Sequence, residues 1–140
     1  ALFFGQVASF HPVIAGQPDG VTDGFYTFAQ FDTPNSVTCS PDICAWIDQY
    51  EAMFDTTPNI GSAYGYIYID ITARALEIAG KDLTTDSFLK ALESIKDYKM
   101  PFGETILSWG PDKHLGANVA YLFEVQDGRF VQIDDKEYTY

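Results

Sequence analysis

The sequence predicts an α/β fold, and three patterns in its 140 residues support that prediction. The chain opens with an apolar run at residues 1–5, which is typical of a buried strand in a parallel sheet. Apolar residues then recur every three or four positions between Tyr64 and Ile78, as they do on one face of a helix. From Gly103 onward the apolar period shortens to two, which indicates strands.

The charge balance excludes two classes of partner. Eight Lys and Arg residues against 20 Asp and Glu residues give a net charge of −12. Such a field repels phosphate backbones and anionic lipid surfaces, so we expect neither nucleic acid nor a membrane surface as a partner. Residues 1–18 carry no charged side chain, but Pro12 and Gly16 interrupt them and no basic segment precedes them. Because the chain also begins without Met, we expect it to be the interior of a longer protein.

The first half of the chain contains a predicted strand and a predicted helix. Residues 25–31 are rich in aromatic residues that alternate, which predicts a strand. Ser40 is a good N-cap, and Pro41 and Asp42 suit the first helical turn. The buried face of this first helix is predicted at Ile43, Trp46, Ile47, Tyr50, Met53 and Phe54.

Two further helices form a predicted helix pair. The second helix ends at Gly80, a residue suited to a left-handed C-cap, and the third begins at Thr84 or Thr85. The predicted inner face of the second helix is Tyr64, Ile67, Tyr68, Ile71, Ala75 and Ile78. The predicted inner face of the third is Phe88, Leu89, Leu92 and Ile95. The connection between the helices is too short for a strand, so the two helices pack together.

The last third of the chain predicts strands and a hairpin. Residues 104–109 and 118–125 read as two strands. Asp127 and Gly128 tolerate the positive φ angles of a tight hairpin turn, so residues 130–133 are expected to pair back. The tail at 134–140 is expected on the surface.

The sequence contains no motif that would make it an enzyme. His11 and His114 are far apart, and there is no metal-binding pair of cysteines or histidines, phosphate loop or nucleophile elbow. Two interpretations of Asp112 and His114 are open: a base with its orienting partner, or a charged turn. The second is favoured because no nucleophile lies beside them. We therefore predict no catalytic residue, no metal and no cofactor.

Cys39 and Cys44 flank the start of the first helix with four residues between them. If the helix begins after Cys39, the two thiols can close a small disulfide loop, which would imply an oxidising compartment. The alternative is a pair of free cysteines, one of them buried.

Residues 64–80 resemble a helix of a known family. They are similar to the Y-x-A-Y-D-A-x-x-x-x-A-x-A-L-E-x-A-G helix of bacterial type I periplasmic solute-binding proteins, the branched-chain amino acid and amide receptors of ABC importers. The resemblance continues through residues 82–84, 89–92 and 102–106 and ends on the hairpin at 125–131. Tyr68 and Ile69 depart from the Asp-Ala of the family helix, and the pair of cysteines lies outside the general pattern.

The resemblance implies an incomplete piece of a two-lobed fold. It covers only the C-terminal part of the much longer family members. By that resemblance, residues 1–32 supply strands of the second lobe and approach the hinge. Residues 33–109 supply helices and a strand of the first lobe, and residues 110–140 supply a hinge-crossing strand and the terminal hairpin. The isolated fragment is then expected to form homo-oligomers or to pair with the missing N-terminal part.

The function that the resemblance implies is solute capture outside the cytoplasm. The receptor would be periplasmic and would hold a small organic solute, such as an amino acid, amide or aromatic acid, between two lobes for the permease subunits of an importer. Two alternatives stay open at this stage: a fragment of an acidic α/β enzyme, and a ligand-sensing domain that is not coupled to transport.

Four residues are candidates for ligand contact. By resemblance, the loop after the first strand lies at the cleft, where Gln6 and Ser9 would bind a polar end of the ligand and Phe10 an apolar end. The alternative for this loop is a simple cap over the sheet. Tyr64 is a weaker candidate, for which core packing is the alternative.

Overall fold

A computed structural model gives the fold, and the structure describes residues 2–5, 7–31, 34 and 39–139. In chain order the elements are β1 (Phe3–Gly5), α1 (Pro12–Ala15), β2 (Phe25–Ala29), α2 (Pro41–Phe54), α3 (Ile60–Ala79), α4 (Thr85–Ser94), β3 (Tyr98–Lys99), β4 (Ile106–Leu107), β5 (Val119–Gln126), β6 (Arg129–Gln132) and β7 (Tyr138–Thr139). Short 3-10 turns lie at Val7–Ser9 and Pro18–Gly20. The predicted α/β class is confirmed.

The main sheet has the strand order β1-β2-β5-β6. β1 runs parallel to β2, while β5 runs antiparallel to both β2 and β6. The predicted hairpin is confirmed, because Asp127 and Gly128 both adopt positive φ angles (51° and 76°) between β5 and β6. The tail lies on the surface as predicted, since residues 134–137 and Thr139 are exposed, and β7 pairs there with the beginning of β5.

The first strand is exposed, contrary to the predicted buried strand. β1 lies at one edge of the sheet, and Phe3 and Phe4 are 65% and 56% exposed. The apolar run does predict a strand, but its burial would need a neighbouring strand and covering layers that the described residues do not supply.

The helices begin where the sequence predicts them. The Ser40 hydroxyl accepts a hydrogen bond from the amide of Ile43 at the start of α2, and Thr84 caps α4 through the amide of Ser87. Gly80 ends α3 with a φ of 72° and an extended ψ, so the positive φ is confirmed, whereas the full left-handed C-cap geometry is not adopted.

Several residues assigned to the buried helix faces lie in solvent. Met53, Phe54, Tyr68, Ile78 and Leu89 are all at least half exposed. α3 instead buries Ala63, Ile67, Ile71 and Ala75, which lie on a strict four-residue spacing and form a narrower face than the predicted one.

The strand predicted at 104–109 is shorter than expected. Only Ile106 and Leu107 are strand, and they pair with β3, which the sequence did not indicate. The disulfide between Cys39 and Cys44 is confirmed, and it lies at the N-terminus of α2.

Buried residues form two clusters. The helical core consists of Phe31, Ala63, Ile67, Ile71, Ala75, Ala91, Ile95, Tyr98, Met100, Phe102, Leu107 and Ala117. The sheet core consists of Phe10, Ala15, Ala29, Tyr121, Phe123, Val125 and Phe130. Ile60, at the N-terminus of α3, packs against both cores.

Candidate functional site

The loop after β1 is only partly available to a ligand. Gln6 lies outside the described residues, and Ser9 is half-buried. The side chain of Ser9 packs so closely on Gly5 that an added Cβ there would lie 2.7 Å from the Ser9 Cβ and Oγ. Gly5 is therefore required by the close approach of the loop to the end of β1.

Phe10 is a member of the sheet core. Its ring is fully buried, with its centroid 4.7 Å from that of Phe123 and 4.6 Å from that of Phe130. Its packing therefore stabilises the end of the sheet. Its predicted contact with a ligand stays a prediction.

Tyr64 lies in the first turns of α3, beside the other core. It is half-buried, and its ring is edge-on to Phe31 at 4.9 Å and stacked on Tyr68 at 5.7 Å. Phe31 follows β2 and is 2% exposed. Phe10 and Tyr64 thus pack in different cores. That both side chains contact a ligand stays a prediction.

The start of α3 is fixed by local hydrogen bonds. The Asn59 side chain accepts hydrogen bonds from the amides of Gly61 and Ser62. In return, the Ser62 hydroxyl accepts a hydrogen bond from the amide of Asn59. The same Ser62 hydroxyl donates to the Tyr50 hydroxyl of α2 at 3.0 Å. Tyr64 is therefore held on a rigid helical start.

A groove of about 870 Å³ lies where the two cores meet, and of the predicted ligand residues that the structure describes, neither Ser9, Phe10 nor Tyr64 lines it. We call it the junction groove; its lining residues are Gln30, Phe31, Cys39, Ser40, Asp42, Ile43, Tyr66, Lys99, Met100, Pro101, Phe102, Gly103, Glu104, Tyr121, Gln132 and Asp135. These residues come from distant parts of the chain, so no local sequence pattern marks the groove.

One hydrogen bond holds the turn between β3 and β4 against the end of β2, and a second closes the turn itself. The Thr105 hydroxyl, which is 1% exposed, donates to the carbonyl oxygen of Gln30 at 2.5 Å. The amide of Met100 donates to the carbonyl oxygen of Thr105 at 3.0 Å. The floor of the junction groove is therefore a preformed surface.

Tyr121 is a buried polar residue that lines the junction groove. Its side chain is 8% exposed, and its hydroxyl donates to Glu137 Oε1 at 3.4 Å. Burial raises the pKa of Tyr121, and the nearby Glu137 carboxylate raises it further. The hydroxyl therefore stays protonated and remains a donor at neutral pH.

Carboxylates dominate the rim of the junction groove. Glu104 pairs with Lys99 at 2.9 Å, and both side chains are exposed. Asp42 and Asp135, also exposed, bring the formal charge of the described lining residues to −2. The disulfide and the Ser40 cap hold the Asp42 turn at this rim.

Two negative findings concern the described residues alone. Within residues 2–5, 7–31, 34 and 39–139, no three His, Cys, Asp or Glu side chains are grouped to hold a metal ion. In the same part of the chain, no helix has the length and apolar character needed to cross a bilayer.

Comparison with known families decides the classification. The family model described as periplasmic binding protein matches residues 3–129. The chain belongs to this family. The resemblance to periplasmic solute-binding proteins is thereby confirmed. No curated protein matches the chain in sequence.

Solved structures of this periplasmic binding protein class share the fold. A branched-chain amino acid ABC transporter protein from Thermus thermophilus with bound valine has a TM-score of 0.80 at 17% identity, covering 98% of this chain and 39% of its own. A fatty acid ABC transporter substrate-binding protein from Thermomonospora curvata has a TM-score of 0.76 at 20% identity, covering 98% and 36%. A solute-binding protein from R. palustris in complex with benzoate has a TM-score of 0.70 at 18% identity, covering 98% and 37%.

The coverage figures define how much of the family fold the chain represents. The chain spans between 36% and 39% of the length of these three proteins. It therefore has the fold of part of a type I periplasmic binding protein, as its sequence predicts.

Proposed function

We propose that the chain is part of an extracytoplasmic solute-binding receptor of an ABC importer. The family match over residues 3–129 carries this proposal. The receptor would capture a small organic solute between two lobes and present it to the permease subunits of the importer. It would act by binding and hinge closure, without catalysing a reaction.

The two cores support a division of the chain between the lobes. In this proposal, the helices and short strands of residues 33–109 belong to the first lobe, residues 1–32 to the second lobe, and residues 110–140 to the hinge-crossing strand and terminal hairpin. The helical core and the sheet core lie in those parts, apart from Phe31, which lies next to a boundary, and Ala117, which lies in the 110–140 part.

Solute contacts are proposed at Gln6, Ser9, Phe10 and Tyr64. Ser9 is half-buried at the carboxyl end of β1, where ligands bind in open α/β sheets. Tyr64 is half-buried beside Phe31, next to the proposed hinge. The described residues form one part of such a cleft, and the remaining length of the receptor would complete it.

A thermal-shift screen of the intact receptor tests the proposal. The panel contains valine, benzoate and a fatty acid, which the similar structures suggest, together with other amino acids and small amides. A true solute at a hundred times its dissociation constant raises the unfolding free energy by about 2.7 kcal/mol. Turnover of an amide or ester in the same screen, or no stabilisation by any member, would contradict a receptor.

Two pairs of variants locate the contacts once a solute is found. Ser9→Ala and Tyr64→Phe are expected to weaken binding because each removes a hydroxyl from the proposed cleft. Ser94→Ala and Tyr68→Phe make the same chemical changes elsewhere and serve as matched controls. Equal effects within each pair would remove these residues from the site.

A further inference from the structure

We propose that Asp127 and Gly128, at the tip of the β5–β6 hairpin, form a site of spontaneous covalent modification at which the aspartate is converted to isoaspartate. The proposal does not depend on the proposed receptor function. The chain contains three Asp-Gly dipeptides, at residues 19–20, 23–24 and 127–128, and the structure describes all three. Glycine favours this reaction because it has no Cβ to hinder attack by its own amide nitrogen. The surroundings of the three dipeptides differ, and they favour reaction at the hairpin.

The reaction rearranges the peptide bond between Asp127 and Gly128 without an oxidant, a reductant or a co-reactant. The Gly128 nitrogen attacks Cγ of the protonated Asp127 carboxyl group, the Cγ–OH bond breaks, and the hydroxyl leaves as water with the amide proton. In the five-membered succinimide that results, the nitrogen is bonded to both carbonyl carbons of the aspartate. Water then attacks the main-chain carbonyl carbon and the bond from that carbon to the nitrogen breaks. The product is a peptide linkage through Cγ with a free α-carboxylate, and its mass is unchanged.

The Gly128 amide is available for this attack. Among the residues that the structure describes, no group accepts a hydrogen bond from it, and the Asp127 carboxylate forms neither a hydrogen bond nor an ion pair. Both residues are exposed. Asp127 has a φ of 51°, in the left-handed region that residues other than glycine rarely adopt, so opening of the turn releases backbone strain. The turn can therefore open locally and bring the Gly128 nitrogen to Cγ at a low cost in free energy.

The other two dipeptides are protected. The Gly24 amide donates a hydrogen bond to the carbonyl oxygen of Val125 at 2.9 Å, and Gly24 is half-buried. Gly20 lies within the 3-10 turn Pro18–Gly20. The Asp23 carboxylate packs so closely on Gly20 that an added Cβ there would lie 2.8 Å from Asp23 Oδ2. This neighbouring negative charge disfavours the loss of the Gly20 amide proton, which the attack requires.

Isomerisation is expected to disturb the hairpin and the sheet core behind it. The main chain then runs through Cβ of Asp127 and gains one carbon atom, so the two-residue turn no longer matches the paired ends Gln126 and Arg129. Phe130 follows directly in β6, and its ring lies 4.6 Å from that of Phe10 in the sheet core. The modified chain should therefore be less stable than the unmodified chain.

Incubation of the 140-residue chain in mildly acidic buffer tests the proposal, because the reacting carboxyl group must be protonated. Peptide mapping by liquid chromatography separates isoaspartyl peptides from their isomers of equal mass, and an isoaspartyl O-methyltransferase labels them selectively. In the folded chain, isoaspartate should accumulate at Asp127 about fivefold or more faster than at Asp23, the factor that one hydrogen bond contributes. Asp19 should also react more slowly than Asp127. In urea, where the chain is unfolded, the three dipeptides should react at similar rates.

Two substitutions serve as matched controls. Asp127→Glu keeps the charge but would need a six-membered ring, so it should abolish modification at the hairpin. Asp23→Glu makes the same change at the protected dipeptide and should leave the rate at Asp127 unchanged. Circular dichroism verifies that both variants are folded. The isolated isoaspartyl chain should unfold at a lower urea concentration than the unmodified chain.

Three results would overturn the proposal: no isoaspartate at Asp127 in the folded chain, equal rates at the three dipeptides in the folded chain, or a faster rate at Asp19 or Asp23 than at Asp127. An unchanged urea midpoint for the modified chain would overturn its expected consequence for the sheet core. Because none of these measurements involves a solute, a failed solute screen would refute the receptor function and leave the modification site standing.

Discussion

The helical core and the sheet core are built in different ways. On α3 the helical core uses Ala63, Ile67, Ile71 and Ala75, a single stripe of one helix at four-residue spacing. The sheet core is centred on rings from three separate segments, with Phe10 between Phe123 and Phe130. The α3 stripe of the first core therefore follows from a local period, whereas the second core depends on contacts between residues more than a hundred positions apart. Sequence patterns therefore predict a periodic helix face more readily than contacts between distant segments.

The largest expected effect comes from charging the helical core. Ile71→Asp should lower the unfolding free energy by several kcal/mol, roughly 3–5, because it buries an unpaired carboxylate. Ile69→Asp, on the same helix at a side chain that is 71% exposed, should have little effect. Denaturant unfolding followed by tryptophan fluorescence measures both, since Trp46 and Trp109 pack against the helical core.

The same experiment tests whether the two cores are independent. Leu92→Asp should also destabilise the helical core, though less than Ile71→Asp, because Leu92 is only half-buried. If Ile71→Asp and Leu92→Asp unfolded at the midpoint of the unchanged chain, the assigned helix faces would be wrong. If fluorescence and far-UV circular dichroism gave different midpoints, the cores would unfold separately.

The second effect concerns the loop at the start of α2. The Cys39–Cys44 disulfide closes a short loop, so its removal by Cys39→Ser with Cys44→Ser should cost about 2 kcal/mol or less. The double variant leaves no lone thiol, and Ser94→Ala provides a control for a small polar change. Mass spectrometry of non-reduced peptides from periplasmic material should show the two cysteines joined. Two free thiols there would remove this support for an extracytoplasmic location.

The accuracy of the sequence interpretation follows the same division. Helix starts were predictable because the N-cap signals at Ser40 and Thr84 act within three residues. The hairpin at Asp127 and Gly128 was predictable for the same local reason. The exposure of β1 was not predictable from its apolar run alone. The burial of a strand depends on its neighbours in the sheet, and the run does not specify them.

Distant contacts explain the other differences. β3 has two residues and exists only through its pairing with β4, so no periodic pattern identifies it. The junction groove collects lining residues from Gln30 to Asp135, and only the folded chain brings them together. Ser9 and Tyr64 were selected by resemblance, and their roles as ligand contacts remain predictions.

The third expected effect is self-association through the exposed edge of the sheet. Leu2, just before β1, and Phe3 and Phe4, within it, are each more than half exposed, and an apolar edge strand favours pairing with another chain. Light scattering should therefore give a mass above the 15.6 kDa of one chain. Phe3→Lys should shift the population towards the monomer, whereas Leu115→Lys, in a loop, should not. A monomer with full solute affinity would show that the chain is a self-sufficient domain and that the proposed lobe division is wrong.

The smallest expected effect is a pH dependence on the outer face of the sheet. The Glu124 carboxylate accepts hydrogen bonds from Gln126 at 2.6 Å and from the Tyr26 hydroxyl at 2.8 Å, and these donors lower its pKa. A carboxyl group with a lowered pKa in the folded state stabilises that state above its unfolded pKa, and the contribution is lost as the pH falls through the folded value. Glu124→Gln should therefore reduce the loss of stability on acidification. Glu51→Gln, at an exposed position of α2, should leave that loss unchanged. Urea midpoints measured from neutral to acidic pH compare the two variants, and parallel curves for both would show that ionisation of Glu124 contributes nothing to the stability of the sheet.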